Sequence, residues 1–307
     1  MSTKTVHFFG RPFKIEGVGN DDPYFVGLAD HSDTDFANLI RMLLPKDSTA
    51  LDIGANIGVT SCMMSQHLSS GMVFAFEPSP SVFPILRRNV TGNALENVSI
   101  EQLAVGKEKG KLGFVGHSAY GHLVADEGNQ NEGETVDVET VDALVRKLGI
   151  DRVDFIKIDV EGFEDGVLAG AAETEKKFSP LYYMEFNAFC IAAYRRMNPF
   201  DFAQQLFDQY EHVFLVDHNG GLERLRNDPA HLLHTNIVEE GSVSNLLMTN
   251  DQDRLQISSK DGFHELTKMQ MKLSQLTKER EEIIIDRDHA RRYPWKYLRN
   301  AVKMRLR

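Results

Sequence analysis

Residues 51–58, LDIGANIG, constrain the fold more than any other stretch of the chain. An apolar strand ends in Asp52 and Ile53, the chain turns through Gly54, Asn56 and Gly58, and a helix follows. Gly54 permits a tight turn and a close approach of backbone to a ligand. Asn56 tolerates left-handed geometry better than most residues. Gly58 lets the helix lie close to the strand. The pattern is D-x-G-x-N-x-G, not the G-x-G-x-x-G of a nucleotide-pyrophosphate site. The helix N-terminus offers amide donors to a carboxylate or hydroxyl, and Asp52 favours a cationic group. Glycines are also ordinary in any β–α turn, so the segment alone establishes only a strand-to-helix junction.

The flanking sequence repeats that junction. Strands are expected over 49–53, 72–77, 98–105, 154–160 and 181–186, alternating with helices over 59–67, 82–92, 141–148, 164–172 and 200–210; 135–140 is extended. Two last strands, 213–217 and 244–249, flank a Gly-rich turn at 219–222 and read as an antiparallel pair at one edge. The alternation implies an α/β fold, a Rossmann-like, doubly wound, mostly parallel seven-stranded sheet over 49–250. Residues 1–48 precede it with a hairpin (7–9, 13–16) and a helix over 33–44, apolar at Phe36, Leu39, Ile40 and Leu43 and stopped by Pro45. The loop 106–133 is polar, Gly-rich and long, a property of functional or mobile connections. With the insertion 219–241 it is expected to wall the ligand site.

The 307 residues, 42% hydrophobic and 26% charged, suffice for one large α/β domain and an appendage. Cys62 and Cys190 have no metal-ligand spacing and read as reduced thiols. The N-terminal residues lack the apolar core of a signal peptide, and no apolar run is long enough to span a bilayer, so a cytoplasmic protein is expected. The net charge of −11 is asymmetric: residues 287–307 carry +7, leaving −18 on the rest, which argues against nucleic-acid binding. No metal requirement follows. His231 and His234 stand three apart without a carboxylate in ligand spacing and read as surface or core histidines. His122, in a YGHL segment, is an acceptor-binding or base candidate. Beyond residue 260, Leu266, Met269, Leu273, Leu276 and Ile283 make a heptad seam. A helical, coiled-coil extension is expected over 251–290, either associating copies of the chain through 260–290 or lying on its own domain. The basic tail 291–307 contains Pro294 and the only tryptophan, Trp295. It suits peripheral binding to an anionic membrane at its inner face, or docking on the acidic body.

Charged residues mark the strand tips. Glu77, 25 residues after Asp52, ends the second strand before Pro78. An acid there accepts hydrogen bonds from ribose hydroxyls, although a surface Glu before a turn is the plain alternative. In residues 154–164, DFIKIDVEGFE, alternation puts Lys157 and Asp159 on one strand face, and Glu161 follows. Glu185 ends the neighbouring strand. Charges inside a buried strand are costly unless paired or used. They meet at the carboxyl ends of the strands, where such sheets bind ligands. The alternative is an ion network that only holds the sheet.

DIGANIG, FEPSP with the following L-x-x-N (Leu86, Asn89), AVG (104–106), FIKIDVEGFE and a P-x-x-x-x-E (180–185) together resemble the FkbM family of class I S-adenosylmethionine-dependent methyltransferases, over 50–185 in order and more loosely to 249. The resemblance implies an S-adenosylmethionine-dependent O-methyltransferase acting on a hydroxyl, often of a sugar in a bacterial surface glycan, or else of a natural product. It implies that Gly54, Asn56 and Gly58 line the methionine part of the cofactor, Glu77 the ribose and Gln102 the adenine. Asp159 or Glu161 would take the acceptor proton, with Lys157 orienting Asp159 and Glu185 nearby. A nicotinamide-dependent oxidoreductase is disfavoured by the missing G-x-G-x-x-G. A catalytically silent scaffold would bind no methyl donor.

Overall fold

The computed structural model describes residues 2–19, 22–28, 34–116, 121–124, 133–217 and 221–255. The expected heptad seam and basic tail lie outside the described residues, as do 117–120 and 125–132 of the long loop.

The chain opens with a hairpin, β1 (Thr3–Phe8) and β2 (Arg11–Glu16). Phe9 and Gly10 both have positive φ, 50° and 80°, as a two-residue hairpin turn requires. Asn89, from the L-x-x-N motif, ties this hairpin to the domain. Its Oδ1 accepts from the Glu16 amide at 2.7 Å, and its Nδ2 donates to the carbonyls of Glu16 and Ile57. One buried amide thus joins hairpin, helix Phe83–Gly92 and the glycine turn.

The remaining strands are β3 (Thr49–Ile53), β4 (Met72–Phe76), β5 (Val98–Glu101), β6 (Ala104–Val105), β7 (Gly110–Val115), β8 (His122–Val124), β9 (Glu134–Glu139), β10 (Phe155–Ile158), β11 (Leu181–Asn187), β12 (His212–Val216), β13 (Leu222–Leu225) and β14 (Val243–Thr249). The main sheet has the order β13-β12-β14-β11-β10-β3-β4-β5. Neighbours from β11 to β5 are parallel, and β14 runs antiparallel to both β11 and β12. Its centre is β3 and β10, buried throughout apart from Thr49, with Leu51, Ile53, Ile156 and Ile158 in the main core.

The expected seven-stranded sheet has eight strands among the described residues. The addition is β13, whose sequence LERL carries charge on two of four residues because it is an outer strand. It pairs with β12, while β14 lies between β11 and β12, so the last two expected strands are neighbours inside the sheet and not an edge pair. The expected strand 98–105 divides: β5 stays in the main sheet, and β6 crosses to a second sheet of order β6-β9-β7-β8. Residues 110–115 and 122–124 of the expected loop 106–133 are therefore strand, in a sheet with its own core of Ala104, Phe114, Leu123, Val136, Val138 and Phe163. The expected helix 164–172 ends at Ala169, and Ala172–Phe178 forms a further helix. Gly170 sits between them because a Cβ there would overlap the Gly106 carbonyl oxygen. The insertion 219–241 folds as β13, helix Pro229–His234 and a π-turn, Thr235–Glu239. Buried Asn236 pins it to the sheet, donating to the Phe186 carbonyl at 2.9 Å and to Ser244 Oγ at 2.8 Å.

Candidate functional site

The carboxyl ends of β3, β4 and β10 form one side of an open cleft, and the second sheet forms the other. Gly54, Asn56, Glu77, Asp159 and Glu161 line it on the main-sheet side. Leu103, Ala104, Val105, Phe114 and the β8 segment from Gly121 to Leu123 line it opposite.

The glycine turn is built by exclusion. Gly54 has φ +77°, and a Cβ on it would overlap the Asp159 carbonyl oxygen, so the turn after β3 and the tip of β10 touch through backbone. The Gly54 and Ala55 amides both donate to the Phe76 carbonyl at 3.0 Å, closing the turn onto β4. Asn56 takes the left-handed conformation, φ 50°, and its Oδ1 is buried without a hydrogen-bond partner. Gly58, φ 89°, caps helix Val59–His67 in the same region of backbone space, beside Leu86.

Glu77 is buried and aimed. Its Oε2 accepts from the Asn56 amide at 2.9 Å and its Oε1 from the Ser79 amide at 2.8 Å. Two amides orient the carboxylate and leave acceptor capacity on each oxygen. Burial raises its pKa to about 7, against the lowering effect of those two amides.

Lys157 is buried under the turn. Its Nζ donates to the Gly54 carbonyl at 3.0 Å and to Asp159 Oδ2 at 3.2 Å, and lies 3.6 Å from Asp52 Oδ1. Burial opposes its charge, but Asp159 and Asp52 outweigh that and hold the ammonium above its ordinary pKa. Asp159 reaches the cleft with a partly exposed side chain. Glu161 has φ 53° and receives the Cys190 thiol on Oε2 at 3.1 Å. Burial, with Asp159 adding repulsion, pushes Glu161 up to about 7.

Three expected site residues are placed differently. Asp52 is fully buried and does not line the cleft; Thr60 and Ser61 donate to its Oδ2 at 2.9 and 2.5 Å, and Lys157 is the cation beside it. Its carboxylate fastens the helix start to β3. Gln102 is exposed and outside the lining, because the chain leaves the main sheet there; Leu103 and Ala104 take the wall position. Glu185 also stands outside the lining. Burial, with Asp159 and Glu161 nearby, raises its pKa well above the usual carboxylate range, and Asn187 donates to it at 3.3 Å.

The residue reading missed Glu164, whose Oε1 accepts from the Val160 and Gly162 amides at 3.3 and 3.1 Å while Oε2 is buried and unpartnered. Burial raises it to about 8. Its signal was its place in VEGFE, where it holds the loop that presents Glu161. The cleft-lining residues Phe114 and Leu123 also escaped, since their strands read as loop. His122 does line the cleft, and its ring stacks on Tyr194 at 3.7 Å between centroids and 8° between planes.

A methyltransferase FkbM domain model matches residues 52–213. The chain is similar to Methyltransferase 1 of Beauveria bassiana, 29% identical over 147 residues, spanning 41% of this chain and 59% of that protein. It is 32% identical to the hexuronic acid methyltransferase AglP of Haloferax volcanii over 139 residues, covering 43% and 55% of the two chains. The 2-O-methyltransferase NoeI of Sinorhizobium fredii is 25% identical over 161 residues, covering 47% and 65%. The match therefore spans less than two thirds of each relative's own length.

Proposed function

The chain belongs to the FkbM methyltransferase family, and on that premise we propose that it transfers a methyl group from S-adenosylmethionine to a hydroxyl oxygen of a sugar. The observation that carries this reading is that Glu77 and Glu161 line one cleft from the ends of neighbouring parts of the sheet. One is an oriented acceptor for diol hydroxyls, and the other is a carboxylate suited to take a proton.

The residues fit the donor. Glu77 has acceptor capacity for a ribose diol, Leu103, Ala104, Val105 and Phe114 offer an apolar wall for an adenine, and the open turn through Gly54 and Asn56 suits the amino-acid end. When bound, S-adenosylmethionine supplies a methyl group on a positively charged sulfur that is already a good leaving group. The protein's part is alignment and proton removal. Lys157 holds Asp159 in place and ties it to the Gly54 carbonyl, so the donor turn and the acid move as one unit. Glu161 accepts the proton of the acceptor hydroxyl. A group titrating near 7 is matched to that task, being ionised enough to act and basic enough to pull. The Cys190 thiol engages Oε2 and leaves Oε1 for the acceptor.

A relative named for hexuronic acid and another named a 2-O-methyltransferase support a sugar hydroxyl. Self-association through 260–290 and membrane contact through 291–307 rest on sequence pattern alone and belong to the same proposal. Titration calorimetry with S-adenosylhomocysteine, followed by transfer of labelled methyl to a panel of glycosides, tests the reading. Binding at one site with labelled sugar product is expected; absence of binding overturns it.

A further inference from the structure

Across the cleft from its acids stands the His122 ring, backed by aromatic side chains that lie outside the lining. His122, from the second sheet, lines the cleft and is stacked on Tyr194, which follows helix Ala188–Ala193. Phe189, 59% exposed, meets Tyr194 edge-on at 6.0 Å. Tyr194 packs on the core of the second sheet, so the aromatic wall is anchored where the two sheets meet. Gly121 is needed beside it, since a Cβ there would overlap the Phe114 ring. The same short helix carries Cys190, whose thiol holds Glu161. The aromatic wall and the proposed base are thus fixed to each other through one helix.

The facing groups are carboxylates. Glu77, Asp159 and Glu161 line the cleft, with Glu185 and Glu164 close behind them. No lysine or arginine lines the cleft among the described residues: Lys157 is buried and engaged by Gly54, Asp159 and Asp52, and Arg195, next to Tyr194, is paired with Asp165. At pH above about 7, where Glu77 and Glu161 are ionised, an anionic acceptor here would meet like charge in a partly desolvated space. An uncharged ring with apolar C–H faces and hydroxyl edges suits both walls, laying a face on the His122 ring and giving hydroxyls to the acids.

We propose that His122, backed by Tyr194, forms the aromatic face of the acceptor subsite and that this subsite takes an uncharged sugar ring, in preference to one bearing a carboxylate or phosphate. This rests on the methyl-transfer reading and narrows its substrate class. The test uses the full chain loaded with S-adenosylhomocysteine, titrated with methyl glucoside and methyl glucuronide and followed by saturation-transfer NMR. Methyl glucoside is expected to bind more tightly than methyl glucuronide. Tyr194→Leu and His122→Ala are expected to weaken it by about threefold to tenfold. Tyr194→Phe, which keeps the ring, retains binding. Affinity for S-adenosylhomocysteine stays at the wild-type value in all three variants, which shows that each keeps its fold. The subsite is overturned if methyl glucuronide binds as well as the glucoside, if the glucoside does not bind the loaded wild type, or if the Leu and Ala variants bind it unchanged. Failure of the wild type to bind S-adenosylhomocysteine overturns the donor reading instead, so the two failures are separable.

Discussion

Lys157 and Asp52 are register partners on adjacent parallel strands, with Nζ 3.6 Å from the carboxylate and both side chains buried. The same ammonium donates to the Gly54 carbonyl and to Asp159. One cation therefore connects the strand that starts the donor turn with the strand that ends in the acids. Its neighbours hold it charged in a place where an isolated ammonium would lose its proton.

Removing that cation should be costly. Lys157→Met leaves Asp52 buried without its counter-charge, and the loss expected is about 3–5 kcal/mol, the scale for breaking a buried pair. The double variant Lys157→Met/Asp52→Asn should recover part of it. Urea denaturation of the two single variants and the double variant gives the coupling. A loss in the double variant equal to the sum of the two single losses would show that the pair is not coupled.

Donor affinity should follow Glu77. Its pKa of about 7 means that affinity for S-adenosylhomocysteine rises between pH 6 and pH 8 as the carboxylate ionises and becomes a full acceptor. Glu77→Gln should weaken binding by about tenfold to a hundredfold, the loss of charge-assisted hydrogen bonds, and flatten the pH dependence. Calorimetry at several pH values checks both.

Turnover should separate Glu161 from Asp159. Glu161→Gln is expected to lower kcat by about 10²–10⁴, the range for a general base, with donor affinity retained. The wild-type rate should rise through pH about 7, where Glu161 deprotonates. Asp159→Asn should fold and bind donor but turn over slowly, because Lys157 loses the charge through which it positions that side chain. Full turnover by Asp159→Asn would remove this residue from the mechanism.

The buried acids also set a stability profile. Glu77, Glu161 and Glu164 are raised from 4.5 to about 7, 7 and 8 in the folded protein. Between pH 4.5 and those values the folded state keeps protons that the unfolded state has released. Stability from these groups is therefore greatest below pH 4.5 and is lost as pH rises through 7 to 8. Melting temperature should fall across that window, and Glu164→Gln should shallow the fall. A profile that climbs from pH 5 to pH 8 would contradict the placement of these carboxyls.

Gly54→Ala tests the contact between turn and strand tip. The added methyl overlaps the Asp159 carbonyl oxygen at a positive φ, and a residue forced into such backbone costs about 1–3 kcal/mol before the overlap is counted. Loss of fold, or loss of donor binding with the fold kept, is expected. A variant with wild-type stability and affinity would show that the turn need not touch Asp159.

The sequence by itself determined the alternation of strands and helices, the left-handed turn through Gly54, Asn56 and Gly58, and the acids at the tips of β4 and β10. Those features are local: periodicity, glycine, and charge beside apolar runs act over a few residues. The tertiary structure decided which charges face the cleft. Asp52 and Glu77 look alike in sequence, each an acid at a strand end, yet Asp52 turns to Thr60, Ser61 and Lys157 while Glu77 is held toward the cleft by the amides of Asn56 and Ser79. The departure of the chain at Gln102, the second sheet inside the long polar segment, and the meeting of His122 with Tyr194 were likewise illegible, because each depends on contacts between residues far apart in the chain. A strand stabilised by pairing across such distances needs no strong pattern of its own, and a carboxylate takes its role from the nearest donors, which only the folded chain supplies.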